Sequence, residues 1–327
     1  MSGSDALRVG VVGVGHMGRL HAAKLVERSR EEGDVRLVGV SDQDRERADA
    51  VASELSVPVV PDARALLRDV DAVIVAVPTV AHFDLCSAAL AGGVDVLVEK
   101  PISVTVDEAD RMVELARGHG RVLQVGHQEW FNSAMRVVRE RIVSPRFAEI
   151  HRMGPFPERS TDVDVVRDLM IHDIEILQQL LGKEPERVDA VGVPVLTNHP
   201  DIANARLTFP DFCVANLTAS RVSPTPMRKF RLFQRDAYFS IDFLEQKAIL
   251  FRRLPRPDGP PKIEFEQLET DPGDALQAQL GVFVEAVRTR SAPREDGQRG
   301  ISGAEAAAAL RTALRVIDAM PPIEGLD

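Results

Sequence analysis

Val9-Gly10-Val11-Val12-Gly13-Val14-Gly15-His16-Met17-Gly18 is the stretch from which the rest of the chain is read. Three valines, Val9, Val11 and Val12, open into Gly13-x-Gly15-x-x-Gly18, and a helical pattern over 16–30 follows at once. Each glycine has a physical reason. Gly13 permits a tight turn, Gly15 lets backbone approach a pyrophosphate, and Gly18 lets the helix pack against the strand. The helix N-terminus, bearing His16 and Met17, then faces phosphate charge. A second strand over 35–41 ends at Asp42, where an acidic residue roughly 20 residues beyond the glycines is expected to meet a ribose hydroxyl. A carboxylate there would repel a 2′-phosphate, so the expected cofactor is NAD, although Arg45 and Arg47 lie close by.

Outward from this motif, strand and helix alternate. Strands are expected at 7–12, 35–41, 57–60, 71–77, 94–98 and 121–126, and helices at 16–30, 44–55, 62–68, 81–92, 105–118 and 132–142. The runs 71–77 and 94–98 are almost wholly apolar, as in strands buried on both faces. Thr105-Val-Asp-Glu108 reads as a capping box. After about residue 145 the pattern changes. A long helix over 164–181 precedes strand-like segments at 187–195, 202–209, 212–222, 228–234, 237–243, 247–252 and 262–267, and helices at 274–290 and 302–319 close the chain. The expected fold is α/β: a doubly wound parallel sheet of the Rossmann type over 1–126, then an α+β domain over 127–327 with a mostly antiparallel open sheet.

With 327 residues, 44% hydrophobic and 28% charged, the chain has the balance of a globular protein. Its net charge of −10 argues against nucleic acid as a partner. No apolar run approaches the roughly 18 residues needed to span a bilayer, and the N-terminus lacks a basic leader, so a cytoplasmic location and no membrane are expected. Cys86 and Cys213 are read as buried packing residues, not a disulfide framework.

Several residues then stand where chemistry is expected. In a doubly wound sheet, ligands bind beyond the carboxyl ends of the strands. Glu99-Lys100-Pro101 follows one such end, His127 another, and Pro78, Thr79 and His82 a third. Lys100 can donate a hydrogen bond to a reacting hydroxyl and stabilise alkoxide charge. Asp168 and His172, four apart in a helical stretch, are expected on one face. A neutral imidazole suits a general base, and a carboxylate one turn away would orient it. The same spacing also fits a satisfied core histidine, or, ranked third, a metal half-site with Asp173 or Glu175; no metal is expected. Arg152 and Arg159 flank Gly154-Pro155-Phe156-Pro157 and offer forks for a substrate diphosphate.

The ordered set of glycine loop, Glu99-Lys100-Pro101 and Asp168-x-x-x-His172 resembles the Gfo/Idh/MocA (glucose–fructose oxidoreductase / inositol dehydrogenase) family over essentially the whole chain. The resemblance implies Lys100, Asp168 and His172 as the catalytic group, with His172 taking a hydroxyl proton as a hydride leaves the same carbon. It also implies cofactor contacts from Gly13, Gly15, His16, Met17, Gly18, Asp42, Pro78, Thr79, His82, Glu99, Lys100 and His127, and substrate contacts from Lys100, His127, Arg159, Asp168 and His172. Homodimers or homotetramers built through the open face of the second sheet are expected. Val125–Asn132, Arg159–Asp173 and Ser220-Arg-Val-Ser223 further resemble the bacterial subgroup that oxidises the 3-hydroxyl of UDP-N-acetylglucosamine, a step toward lipid A. Gln128-Glu129-Trp130 and Ser133 depart from that subgroup's pattern. The competing readings are a dehydrogenase of a free polyol or sugar such as inositol, a non-catalytic NAD(H) sensor, and an NAD-dependent glycosidase.

Overall fold

The computed structural model describes residues 6–156, 163–257, 259–290 and 300–322. The chain divides into two compact units. Met1–Gln128 with Leu276–Ala307 forms the first, and Glu129–Ala275 with Ala308–Asp327 forms the second.

The first unit is built on β1 (Leu7–Val12), β2 (Val35–Ser41), β3 (Ala72–Val75), β4 (Asp95–Val98) and β5 (Leu123–Val125). Between them run α1 (His16–Glu31), α2 (Arg45–Leu55), α3 (Ala63–Leu66), α4 (His82–Ala91) and α5 (Val106–Gly118). The five strands are parallel, and β14 (Ile301–Ser302) adds antiparallel to β5, giving the order β14-β5-β4-β3-β1-β2. The expected strand over 57–60 is reduced to a single bridge, Val59 to Val40. Pro58 and Pro61 each lack an N–H, which prevents a ladder from extending there. The capping box of α5 is present in both directions, Thr105 to Glu108 and back.

A helix that the linear reading placed in the second domain returns to this unit. Leu280, Phe283, Val284 and Val287 of α8 (Ala275–Thr289) are buried in one cluster with Val9, Val11, Leu25, Val35 and Ile74. Each such side chain removed from water contributes about 1.5–3 kcal/mol. The return also satisfies Asp95, a buried carboxylate within a strand. Its Oδ1 accepts from Val122 N at 2.8 Å, and Arg290, just past α8, lies 2.6 Å from Oδ2.

The second unit carries an eight-stranded sheet in the order β13-β12-β11-β10-β6-β9-β8-β7. Its strands are β6 (Pro145–Met153), β7 (Arg187–Val193), β8 (Ile202–Thr208), β9 (Val214–Ser220), β10 (Met227–Gln234), β11 (Ala237–Asp242), β12 (Lys247–Leu254) and β13 (Lys262–Leu268). All neighbours pair antiparallel except β6 with β9. β6 was not anticipated: its core-facing positions are Ala148, Ile150 and Arg152, and the arginine breaks the apolar alternation by which strands are recognised. The helices are α6 (Ser133–Arg139), α7 (Ile171–Leu181) and α9 (Gly303–Asp318), the last split by the unit boundary. The expected helix over 164–181 is α-helical only from Ile171; Val166–Met170 is a π-turn leading into α7.

Candidate active site

In the first unit, the glycine loop has the shape of a phosphate cradle. Gly13 has φ +83°, and a Cβ there would lie 2.5 Å from Ala76 O. At Gly18 a Cβ would stand 1.8 Å from Gly13 O, so helix and turn touch through bare backbone. Gly15 differs, because no atom lies within 4 Å of where its Cβ would be. It caps α1 without a side-chain hydrogen bond, and no acidic residue occupies the first turn. The open N–H groups of that turn and the positive helix end therefore face free space, which fits a dinucleotide pyrophosphate. His16 is exposed and Met17 half-buried beside them. Asp42, directly after β2, accepts from Val14 N at 2.8 Å and Asp44 N at 2.9 Å, with Arg47 3.6 Å away. The carboxylate thus anchors the loop, and its remaining lone pairs suit a ribose hydroxyl.

The strand ends bring together Lys100, His127 and the loop of Pro78 and Thr79. Lys100 is half-buried after β4, and the Lys100–Pro101 peptide is cis. His127 follows β5 and is 1% exposed. Burial, and then the neighbouring Lys100 charge, push its imidazole down to about 3, so it is neutral at physiological pH. Pro78 is exposed and Thr79 half-buried. His82 is turned inward. It is 1% exposed, with ring nitrogens 2.9 Å from Val77 O and 2.9 Å from Pro101 O. Burial lowers its pKa. Both nitrogens face carbonyls, to one of which the neutral ring can donate, so His82 is held between the loop after β3 and the lysine loop instead of covering a ribose. Glu99 is also internal: its Oε1 lies 2.8 Å from Nε2 of the fully buried His21 on α1. His21 was not identified from sequence, where it appears as one more residue on the buried face with Gly18, Ala22 and Leu25.

In the second unit, Asp164 begins the helical stretch. Its carboxylate accepts from Val166 N at 3.0 Å and Arg167 N at 2.9 Å. Asp168 sits half-buried in the π-turn and His172, 8% exposed, in the first turn of α7. The one-face argument assumed an α-helix throughout; here the two residues straddle a wider turn, a feature that recurs at functional sites.

Arg152 corrects the sequence reading most clearly. It is 3% exposed, and its fork grips Asp173 at 3.0 and 2.7 Å while Nη1 donates to Glu129 Oε1 at 2.8 Å. Arg228 reaches the same Glu129 oxygen at 3.0 Å. Burial opposes the Arg152 charge, but the two carboxylates outweigh it and raise its pKa; burial pushes the Asp173 carboxyl up against the pull of Arg152. A buried guanidinium with each of its three nitrogens already on a carboxylate is not a diphosphate grip. Glu129, in the stretch that departs from the subgroup pattern, is the residue that completes this cluster. Arg221 is likewise internal, 2.8 Å from the buried Asp201 and 2.7 Å from Val163 O. Arg159 lies outside the described residues. Among the described residues, no group of three or more His, Cys, Asp or Glu side chains forms a metal site.

Residues 7–127 match the oxidoreductase family with an NAD-binding Rossmann fold, and residues 136–239 match the GFO/IDH/MocA C-terminal domain. The chain is 38% identical to UDP-N-acetylglucosamine 3-dehydrogenase of Acidithiobacillus ferrooxidans, over 94% of this chain and 97% of that protein. A solved structure of that dehydrogenase superposes with TM-score 0.87 at 37% identity, covering 96% of this chain and 98% of that one. Inositol 2-dehydrogenase of Agrobacterium fabrum is 32% identical, over 54% of this chain and 55% of its own length. The scyllo-inositol dehydrogenase of Lactobacillus casei, solved with NAD(H) and scyllo-inositol, shares the fold with TM-score 0.76 at 17% identity. On this evidence the chain belongs to the GFO/IDH/MocA family of NAD-binding oxidoreductases.

Proposed function

We propose that the protein oxidises a secondary hydroxyl of a nucleotide sugar to a ketone with NAD, and that the substrate is UDP-N-acetylglucosamine, oxidised at its 3-hydroxyl. The observation that carries this is the similarity to UDP-N-acetylglucosamine 3-dehydrogenase over nearly the whole of both chains, where the likeness to inositol dehydrogenases spans 54% to 67% of this chain. The glycine loop of Gly13, Gly15 and Gly18 with Asp42 would hold NAD, which would supply the acceptor for the hydride of the carbinol carbon. Lys100 donates a hydrogen bond to the reacting oxygen and stabilises its developing negative charge. His172 removes the hydroxyl proton, and Asp168 supports the imidazolium that results. His127, neutral beside Lys100, supplies a hydrogen bond without a second positive charge.

The test is a panel of UDP-sugars and free inositols followed by NADH absorbance. Turnover with UDP-N-acetylglucosamine and none with free inositols supports the reading; the reverse pattern overturns it. General-base assistance is worth on the order of 10²–10⁴-fold. His172→Ala should therefore lose turnover by that factor and still bind NADH, and near-normal turnover removes His172 from the role. We further propose that the 3-keto sugar is aminated in a following step toward a diamino sugar for lipid A, in the cytoplasm. Among the described residues no helix is long and apolar enough to cross a membrane.

A homo-oligomer is part of the same proposal. Phe147, Phe233, Tyr238, Phe251 and Phe265 are cross-strand neighbours over β6, β10, β11, β12 and β13, with adjacent ring centroids 4.6–5.7 Å apart. They occupy the face opposite buried Leu232, Phe239 and Leu250. Phe265 is 57% and Ile263 64% exposed. Charges flanking the ribbon are paired within it, Arg231 with Glu149, Lys229 with Asp242 and Arg253 with Asp236. A neutral aromatic ribbon can pack on its own copy without self-repulsion, as an isologous dimer requires. Phe251→Glu should convert the assembly to monomer by light scattering; an unchanged mass overturns this interface.

A further inference from the structure

Taking Lys100 as the catalytic lysine, as proposed above, the geometry points to His21 and Glu99 as a buried strut that sets the position of Lys100. The pair joins the helix that opens the cofactor loop to the strand end that carries the lysine. His21 lies on α1, and none of its surface is exposed. Glu99 directly follows β4, where its N–H donates to Val75 O at 2.9 Å. Its Oε1 is 2.8 Å from His21 Nε2, and Lys100 N lies 3.3 Å from Oε2.

A third element closes on the same carboxylate. A Cβ at Gly126, just past β5, would stand 2.8 Å from both Glu99 oxygens. Gly126 thus leaves the space the carboxylate fills, and Glu99 has no slack in that direction. The ring is held as tightly. Its Nε2 faces a carboxylate oxygen and must carry the proton, while Nδ1 is buried with no hydrogen-bond partner. Glu99 therefore fixes both the tautomer and the orientation of the imidazole, and the imidazole in return keeps a buried carboxylate hydrogen-bonded. Neither group needs to touch cofactor or substrate to matter. Reacting groups misplaced by about 1 Å can cost around 100-fold in rate, and this pair removes the freedom for such a shift between α1 and the lysine loop. His21 and Glu99 are positioning residues.

The experiment is a double-mutant cycle on kcat with His21→Leu, Lys100→Met and the pair, with His21→Gln as the conservative variant. A strut acting through Lys100 predicts that His21→Leu costs about tenfold or more in kcat in the natural background and less than about twofold when Lys100 is already Met. His21→Gln, which keeps a side-chain donor, should recover most of the loss. NADH affinity, read from its own fluorescence, should change by less than about threefold because the glycine loop is untouched. A readout without activity runs on the cofactor-free protein: amide exchange across 95–104 should accelerate about tenfold in His21→Leu, while exchange over β1 stays as before. Equal kcat losses in both backgrounds, or unaltered exchange across 95–104, overturn the strut and leave Lys100 in its role. Near-normal turnover of Lys100→Met overturns the catalytic reading and the strut together.

Discussion

Replacing Arg152 by Met keeps the volume of the side chain and deletes its charge, which isolates what the guanidinium does. Arg152 makes three short contacts to two carboxylates inside the second unit. Glu129 would keep Arg228 at 3.0 Å, but Asp173, 2% exposed, would lose both arms of the fork. Removing one partner of a buried ion pair costs about 3–5 kcal/mol, because the other charge stays buried and uncompensated. At about 2–4 °C per kcal/mol for a unit of this size, the midpoint should fall by roughly 10 °C. The pH dependence gives a second handle. Burial already raises the Asp173 carboxyl, and loss of the guanidinium raises it further. A folded-state pKa above the unfolded one favours the fold at low pH and loses that contribution as pH rises through the folded value. The deficit of Arg152→Met should therefore be smaller near pH 5 than near pH 8. Differential scanning fluorimetry across that range is the assay. A midpoint within about 2 °C of the parent at pH 8, with a raised KM for the nucleotide sugar, would refute the argument and restore Arg152 as a diphosphate grip.

The glycines of the cofactor loop should separate by cause. Gly18→Ala places a Cβ against Gly13 O and should lower both Tm and NADH affinity, whereas Gly15→Ala meets no protein atom and should spare Tm while weakening NADH binding; equal Tm losses would contradict this. Arg290→Met should destabilise the first unit by about 1–3 kcal/mol in urea titration, since the buried Asp95 keeps Val122 N but loses its closest cation; no change would mean that Asp95 is satisfied without it. Burial pushes the Cys213 thiol up to about 11 and raises that of Cys86 as well. Neither should react with a thiol-specific disulfide reagent at pH 8 in the native protein, and both should in urea; rapid native labelling would refute their burial.

The glycine loop is legible in sequence because its demands are steric and local: a turn at φ +83° and a 1.8 Å approach leave glycine alone at Gly13 and Gly18. The strands 7–12 and 35–41 appear as read because their apolar runs match a doubly covered parallel sheet. β6 stayed hidden because a charged residue occupies a core position, acceptable only with Glu129 and Asp173 in place, and those partners are remote in sequence. Helical periodicity showed α8 to be amphipathic without naming the sheet that receives it. The π-turn at 166–170 leaves no mark in a 3.6-residue pattern. Nor does a motif reveal where a carboxylate points: Glu99 stands beside Lys100 in sequence, and its side chain turns away to His21.

The return of α8 and β14 bears on how the chain is made. When residue 128 leaves the ribosome, the nascent Rossmann half still lacks Leu280, Phe283 and its terminal strand β14, and residues 129–275 must be translated before they arrive. At roughly 5–20 residues per second that interval is about 7–30 s, long enough for the uncovered valines of β1 and β2 to recruit a chaperone. A gene truncated at 128 should yield an aggregating product, while a fusion that supplies 276–307 directly behind it should be soluble.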